Sequence, residues 1–336
     1  MSTSLRVGVI GLGVGEQHLI TYLRHPGCTV VAACDFSSEK RAQVQGRHPD
    51  VRLHADASAV LDDPTIDLVS IASFDDAHHE QVLAALRTKK HVFVEKPLCL
   101  SLDQLADIKL AWAAHEGRVA LRSNLVLRAA PLYRWLRAHI QSGALGEVYA
   151  FDGDYLYGRL PKITDGWRTD LSDYSVMAGG GVHLVDLLVW LTGERPDRVF
   201  AVGNKICTEG TRFQPADYVS ATMWCPSGMI ARITANFGCV HGHQHVVRAF
   251  GTSGTMIYDD RGPRLQVQRD PAPAAESLDL APLPPSKGAL LSEFVDSILA
   301  GRSGTEETQC DFDVVSICLA SAESLRTGMI QEIKYV

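Results

Sequence analysis

A strand that runs directly into a glycine cluster and then into a helix constrains this chain more than any other feature. Residues 5–10 read as a buried strand, Gly11-Leu12-Gly13-Val14-Gly15 follows, and a helix then carries Leu19, Ile20 and Leu23 on one face. Small residues at such a junction let backbone N–H groups and the positive end of a helix approach a pyrophosphate. The spacing is irregular, because the usual third glycine falls at position 16, which is Glu16. Asp35 supplies the second half of the argument. It closes the next apolar stretch, 28–35, where a carboxylate can accept both hydroxyl hydrogens of the adenosine ribose. The same charge repels a 2′-phosphate, so NAD is expected rather than NADP, with Arg41 close behind to soften the preference.

The alternation continues through roughly the first 120 residues. Strand patterns recur at 66–72 and 91–94, and a helical pattern over 75–89 sets Val82, Leu83 and Leu86 on one face. Ser101-Leu-Asp-Gln104 has the form of a capping box, opening a helix with Leu105, Ile108 and Trp112 inward. Strands alternating with helices imply a parallel sheet covered on both faces, hence a doubly wound α/β domain over residues 1–122. Beyond it the pattern changes. A helix over 131–141 leads past Gly143 into a strand run at 148–157, and further runs follow at 197–203, 217–224, 229–237 and 245–258. A helix at 182–191 interrupts them, so residues 123–336 are expected to form an α+β domain with a large open, mostly antiparallel sheet. Pro271, Pro273, Pro282, Pro284 and Pro285 mark 270–288 as a surface connection to two C-terminal helices.

Composition narrows the functions available. The 336 residues are 46% apolar and 21% charged, and a net charge of −7 argues against nucleic acid or an anionic membrane as partner. No apolar run reaches the ~18 residues of a membrane span, and the start, Met1-Ser-Thr-Ser-Leu-Arg-Val, lacks an apolar leader core. The eight cysteines are scattered without a CxxC pair, which suits a reduced, cytoplasmic setting and no structural zinc. His241, His243 and His245 alternate, so in a strand they would share one face. Polar alternation on a sheet surface accounts for such a trio, and no metal is expected.

Two segments carry a family resemblance. Ile71-Ala-Ser-Phe-Asp-Asp-Ala-His78 is similar to the Ile-Ala-Thr-Pro-Asn-x-x-His stretch of the glucose–fructose oxidoreductase/inositol dehydrogenase (Gfo/Idh/MocA) family. Lys90-His-Val-Phe-Val-Glu-Lys-Pro97-Leu resembles its Gly-Lys-His-Val-x-x-Glu-Lys-Pro signature. Arg128-Ala-Ala-Pro131, Gly143-Ala-Leu-Gly146, Gly179-Gly-Gly-Val-His183-Leu-Val-Asp186 and Phe250-Gly-Thr-Ser-Gly-Thr255 follow in the family's order, so the likeness spans nearly the whole chain. It implies a Rossmann domain joined to an open-sheet domain that assembles the protein into homodimers or homotetramers. The implied reaction is hydride exchange between NAD and a secondary alcohol of a sugar, sugar nucleotide or cyclitol. Around the dinucleotide it adds Ser73, His78, Glu95 and Lys96 to Gly11, Gly13, Val14, Gly15 and Asp35.

Matched by motif, Lys96 corresponds to the family's active-site lysine. A cation beside the alcohol oxygen stabilises the negative charge that develops as hydride leaves the carbon. Pro97 permits a cis bond after Lys96, as the family usually shows. His183 matches the family histidine and is the candidate proton acceptor, since imidazole titrates near working pH. Asp186, three residues on, shares its helical face and is placed to orient it or reach the substrate. Many family members carry an aspartate four residues before this histidine, where it shares the substrate hydroxyl. Here that position is Gly179, which leaves Asp154, Asp173 or Asp186 as carboxylates to replace it.

For the substrate, Tyr155 and Tyr157 offer ring faces, while Arg159, Lys162 and Arg168 can hold a diphosphate. With Asn124 and Arg128, this set suits a sugar nucleotide, and oxidation at C3 of a UDP-N-acetylhexosamine is the first candidate. Two other functions fit the same fold: a glycosidase that oxidises its sugar transiently with tightly held NAD, and a non-enzymatic NAD-binding regulator. Net NADH formation separates the first from a dehydrogenase, and retention of Lys96 and His183 argues against the second.

Overall fold

The computed structural model describes residues 4–171, 174–270 and 274–336. Two compact units emerge. One comprises Met1–Val126, Pro285–Phe312 and Val336, the other Leu127–Pro284 and Asp313–Tyr335.

The first unit is built from β1 (Leu5–Ile10), α1 (Gly15–Arg24), β2 (Cys28–Cys34), α2 (Ser38–Arg47), β3 (Arg52–His54), α3 (Ser58–Leu61), β4 (Leu68–Ile71), α4 (His78–Arg87), β5 (His91–Val94), α5 (Leu102–Ala113) and β6 (Leu121–Ser123). Its six strands lie in the order β3-β2-β1-β4-β5-β6, every pair parallel. The order reverses beside β1, so a crevice opens at the strand ends where ligands of such sheets bind. The apolar runs read from the sequence become β1, β2, β4 and β5, with Val7, Val9, Leu68 and Phe93 fully buried. Ser101 caps α5 by accepting from the Gln104 N–H, but Gln104 returns its side chain to the N–H of Leu100, one residue before the expected partner.

The second unit holds α6 (Pro131–Gln141), β7 (Val148–Leu156), α7 (Pro161–Thr164), α8 (Val182–Thr192), β8 (Arg198–Asn204), β9 (Tyr218–Trp224), β10 (Ile230–Asn236), β11 (Gln244–Gly251), β12 (Thr255–Asp259), β13 (Gly262–Gln266) and β14 (Glu276–Ser277). After them come α9 (Ala289–Leu299), α10 (Thr305–Thr327) and β15 (Gln331–Glu332). Nine strands form one sheet, β14-β13-β12-β11-β7-β10-β9-β8-β15, antiparallel except at β7–β10. Along β7 the side chains alternate as a pleated strand requires. Phe151, Gly153 and Tyr155 are buried, and Gly153 lets the Leu184 side chain of α8 come close. Asp152 and Asp154 face the other way, paired with Arg232 and Arg248 at 3.2 and 2.8 Å.

The expected boundary at 122/123 differs from the observed division. Residues 285–312 belong to the first unit because Leu291, Phe294 and Val295 complete its core beside Leu19, Tyr22 and Phe93. Asp311 also accepts from the Ser123 N–H at 2.7 Å, and the Thr308 hydroxyl donates to the Leu121 carbonyl, so the first turns of α10 fasten β6. Short strands β3, β13, β14 and β15 escaped the pattern reading, since two to five residues are too few to show a period. Of the proline-rich connection, Pro271 and Pro273 lie outside the described residues.

Candidate active site

The glycine turn has the backbone that a pyrophosphate cradle needs. Gly11 adopts φ +82, and a Cβ there would collide with the carbonyl of Ala72. A Cβ at Gly13 would meet nothing within 4 Å, so the outer side of the turn is open. At Gly15 a Cβ would come within 2.9 Å of the Ala72 Cβ, and this residue therefore permits the close helix–strand packing usually served by a third glycine. Glu16 instead joins Arg47 at 2.6 Å and Lys40 at 3.5 Å.

Asp35 stands at the end of β2 as expected. Its Oδ2 accepts from the Leu12 N–H at 2.7 Å and its Oδ1 from the Ser37 N–H at 2.8 Å, which fixes the carboxylate beside the glycine turn with lone pairs to spare. Arg41 does not aim at the ribose. Its Nη1 donates to the main-chain carbonyls of Asp35 and Phe36 at 2.6 and 3.1 Å. The turn, the helix start and this carboxylate fit an NAD molecule.

Lys96 follows β5 in a turn with a cis bond to Pro97. Glu95 anchors that turn: its Oε1 accepts from Asn124 Nδ2 at 2.7 Å and lies 3.2 Å from His18 Nε2. Burial pushes the Glu95 carboxyl up, but hydrogen bonds and charge from His18, the amide of Asn124 and the Lys96 cation outweigh it and hold it at about 2. His18 is fully buried, with Nδ1 2.9 Å from the Ser70 hydroxyl. His78 is buried too, its Nδ1 2.7 Å from the Pro97 carbonyl and its Nε2 3.3 Å from that of Ser73. It braces the turn around Lys96, and the Ser73 hydroxyl donates to Gln81 at 2.7 Å. Asn124, named for the substrate in the sequence analysis, is buried and spends an amide hydrogen on Glu95.

In the second unit His183 lies at the start of α8, one residue beyond a π-helical turn, Met177–Gly181. Its ring stacks 6.3 Å from that of Tyr155 and stands perpendicular to that of His245 at 5.7 Å. His243 lies 4.8 Å from His245 and 5.2 Å from Tyr155, and Tyr157 and Phe237 close the group. The histidine trio is thus divided. β11 begins at Gln244, so His241 does not share the strand face and pairs with Asp260 at 3.2 Å, while His243 and His245 join the His183 cluster. Burial raises the Tyr155 phenol, the neighbouring hydroxyls of Tyr157 and Tyr174 add to this, and Arg168 and Arg159 oppose it.

Two of the carboxylates named in the sequence analysis have described partners. Asp186 is fully buried and accepts from Arg128 Nε at 2.8 Å and again from its Nη2. Asp154 lies on the opposite face of the sheet, held by Thr234 and Arg248. Asp173 lies outside the described residues. The cationic loop is also partly committed: Arg168 lies 4.3 Å over the Trp167 ring and donates from Nε to the Tyr174 hydroxyl at 3.2 Å, and Arg159 lies 5.7 Å over the ring of Tyr157. Lys162 is exposed on α7.

Two family models match, an oxidoreductase family with an NAD-binding Rossmann fold over residues 5–123 and the GFO/IDH/MocA C-terminal domain over residues 133–257. An inositol 2-dehydrogenase from Acidothermus cellulolyticus is 30% identical over 331 residues, 96% of this chain and 93% of that protein. The chain belongs to the Gfo/Idh/MocA family. A 1,5-anhydro-D-fructose reductase from Ensifer adhaerens is also 30% identical, over 75% of each chain. Among solved structures, levoglucosan dehydrogenase in complex with NADH matches with a TM-score of 0.86 at 20% identity, covering 99% of this chain and 100% of that one.

This Gfo/Idh/MocA chain is therefore an NAD-binding oxidoreductase with the two-part fold that its motifs imply. Within the first unit the structure gathers Gly11, Gly13, Gly15 and Asp35 at one crevice and Glu95 with Lys96 at the end of β5. Within the second it brings His183, Tyr155 and Tyr157 together. His18 and Tyr174 were missed. A buried histidine within an amphipathic helix and a tyrosine at the end of a polar loop carry no motif, and only tertiary contact reveals them.

Proposed function

We propose that this chain oxidises a secondary alcohol of a cyclic polyol or unphosphorylated sugar, reversibly, with NAD as hydride acceptor. The observation that carries the reading is the ring cluster of the second unit, where His183 is set among Tyr155, Tyr157, Phe237, His243 and His245. Aromatic faces suit the C–H faces of a sugar ring, and the phenol and imidazole groups suit its hydroxyls. The names of the relatives agree with it, since they include an inositol dehydrogenase and an anhydrofructose reductase.

In this reading bound NAD supplies the site that receives hydride from carbon. His183 takes the proton of the alcohol, and Lys96 stabilises the negative charge on the oxygen while the carbonyl forms. Glu95, His18, Asn124 and His78 hold the turn that presents Lys96. Asp35 holds the adenosine ribose. The sugar-nucleotide form of the reaction would draw on Arg159 and Lys162, both exposed, for a diphosphate. Arg168 is the weaker candidate, being stacked on Trp167 and bonded to Tyr174.

The test is a substrate panel followed by NADH absorbance: myo-inositol, scyllo-inositol, levoglucosan, glucose and UDP-N-acetylglucosamine. Net NADH formation on an unphosphorylated ring supports the proposal. Turnover confined to the UDP-sugar would transfer it to the nucleotide form. Product release from a glycoside without net NADH would identify a glycosidase, and no turnover by any member would favour a regulator. On family architecture we further propose a homodimer or homotetramer assembled through the open face of the nine-stranded sheet, tested by light scattering. The free cysteines accord with a cytoplasmic setting.

A further inference from the structure

Glu16 puts an anion where the cofactor brings another. It is the second residue of α1 and stands at the position of the third glycine in the dinucleotide fingerprint. The first turn of such a helix turns its positive end to the pyrophosphate of NAD, and a carboxylate in the same turn competes for that field. Cations from α2 meet this carboxylate. Arg47 holds it with two bonds, Nε to Oε1 at 2.6 Å and Nη2 to Oε2 at 3.0 Å. Lys40 Nζ lies 3.5 Å from Oε2, and His48 Nε2 lies 3.8 Å from Oε1. We propose that Arg47 and Lys40 set the NAD affinity of this protein by cancelling Glu16, so that the dinucleotide meets a helix start bordered by net positive charge. Arg47 is here a positioning residue that acts through Glu16, and no contact between it and the dinucleotide is required. The inference concerns the cofactor alone and is independent of which alcohol is oxidised.

The arrangement is built into the helix that follows Asp35. Lys40 and Arg47 are seven residues apart, two turns of α2, so both lie on one face of it. The Glu16 side chain is only 12% exposed, against 50% for Arg47, so these donors stand in for much of its water. The bonds and charge of Arg47, with help from Lys40, hold the Glu16 carboxyl below its ordinary 4.5 in spite of burial. The other charged groups at the start of α2 are engaged elsewhere. Glu39 accepts from Gln43 at 3.1 Å, and Arg41 donates to main-chain carbonyls. An ion pair with a half-exposed guanidinium contributes little to folding stability, so its removal leaves a folded protein in which binding can be read.

The charges give a ladder. One carboxylate against the cations of Arg47 and Lys40 leaves a net charge of +1. Arg47→Met lowers it by one unit, Glu16→Gln raises it by one, and the double variant returns it to the starting value. Calorimetric titration of these four proteins with NAD at low salt tests the proposal. Glu16→Gln should bind tightest, the unmutated protein and the double variant alike, and Arg47→Met weakest, in steps of about two- to fivefold. ADP-ribose, which keeps the pyrophosphate, should repeat the ladder, and high salt should compress it. Adenosine, which has no phosphate, should bind all four proteins alike.

Unchanged NAD affinity in Arg47→Met would overturn the inference, and so would a loss that Glu16→Gln fails to restore. A loss shared equally by adenosine would also overturn it, because Arg47 would then brace the fold instead of tuning charge. Glu16→Gln keeps an amide for Arg47 to bond, so it gives a separate reading if Arg47→Met does not fold. Weaker NAD binding by Glu16→Gln would contradict the proposal by itself.

Discussion

Asn124 donates through Nδ2 to Oε1 of Glu95 at 2.7 Å, which ties the residue after β6 to the strand-end turn that presents Lys96. With His18 on the same oxygen, Glu95 is kept ionised at about 2 against an ordinary value of 4.5, despite the opposing effect of burial. A carboxyl depressed in the folded state stabilises the fold fully above its unfolded value and loses that contribution as pH falls toward its folded value. The window here is about pH 4.5 down to 2. Glu95→Gln should therefore cost roughly 2–3 kcal/mol near neutrality, with the difference from the unmutated protein shrinking steadily as pH falls through that window. Thermal unfolding at a series of pH values checks it, and a gap that stays constant would contradict the assignment.

Asp35 is expected to set cofactor choice. Its carboxylate is fixed by the N–H groups of Leu12 and Ser37, and Arg41 is occupied with main-chain carbonyls instead of standing ready for a 2′-phosphate. NAD should exceed NADP at least about tenfold in kcat/KM, the equivalent of about 1.4 kcal/mol. Asp35→Ser should narrow the ratio without abolishing NAD turnover. Equal efficiency with both cofactors in the unmutated protein would contradict this reading.

Arg128 and Asp186 form a buried pair, 3% and 0% exposed, so removing the guanidinium takes a charged donor away from a buried carboxylate. Arg128→Met should destabilise the protein by about 3–5 kcal/mol, and adding Asp186→Leu should recover much of the loss. Denaturant melts of the single and double variants measure this. A mild effect of Arg128→Met on stability, combined with a large rise in KM, would return Arg128 to the substrate site.

How much of this was legible in advance depended on how local the signal was. The glycine turn, Asp35 and the Glu95–Lys96–Pro97 turn declare themselves because phosphate and hydride chemistry impose short spacings in one stretch of chain. The fate of Asp186 could not be read, because its partner Arg128 lies 58 residues away on another element. The bond of Asn124 to Glu95 could not be read for the same reason, Glu95 being 29 residues upstream. The contact of Gly179 with the Tyr174 hydroxyl is a tertiary one, which no periodicity encodes. His243 and His245 were read by strand alternation, but β11 begins at Gln244, so their meeting with His183 follows from sheet packing.

The last expectation concerns the proton. Hydride departure leaves an oxygen that must shed its proton; Asp186 on α8 accepts from Arg128, and Asp154 lies on the far face of the sheet. We propose His183, packed against Tyr155 and His245, as the group that accepts it. Imidazole loses its proton around neutrality, and only the neutral form is a base, so the oxidation rate should rise between about pH 6 and 8. His183→Asn should lower kcat by on the order of a hundredfold and flatten that limb. Lys96→Met should lower kcat by a similar factor while leaving NAD affinity nearly unchanged, because the ammonium acts on charge that exists only in the transition state. The two variants should differ in pH response: Lys96→Met keeps the imidazole limb and His183→Asn loses it. A pH–rate profile of each variant decides the matter, and a limb surviving intact in His183→Asn would make the histidine structural.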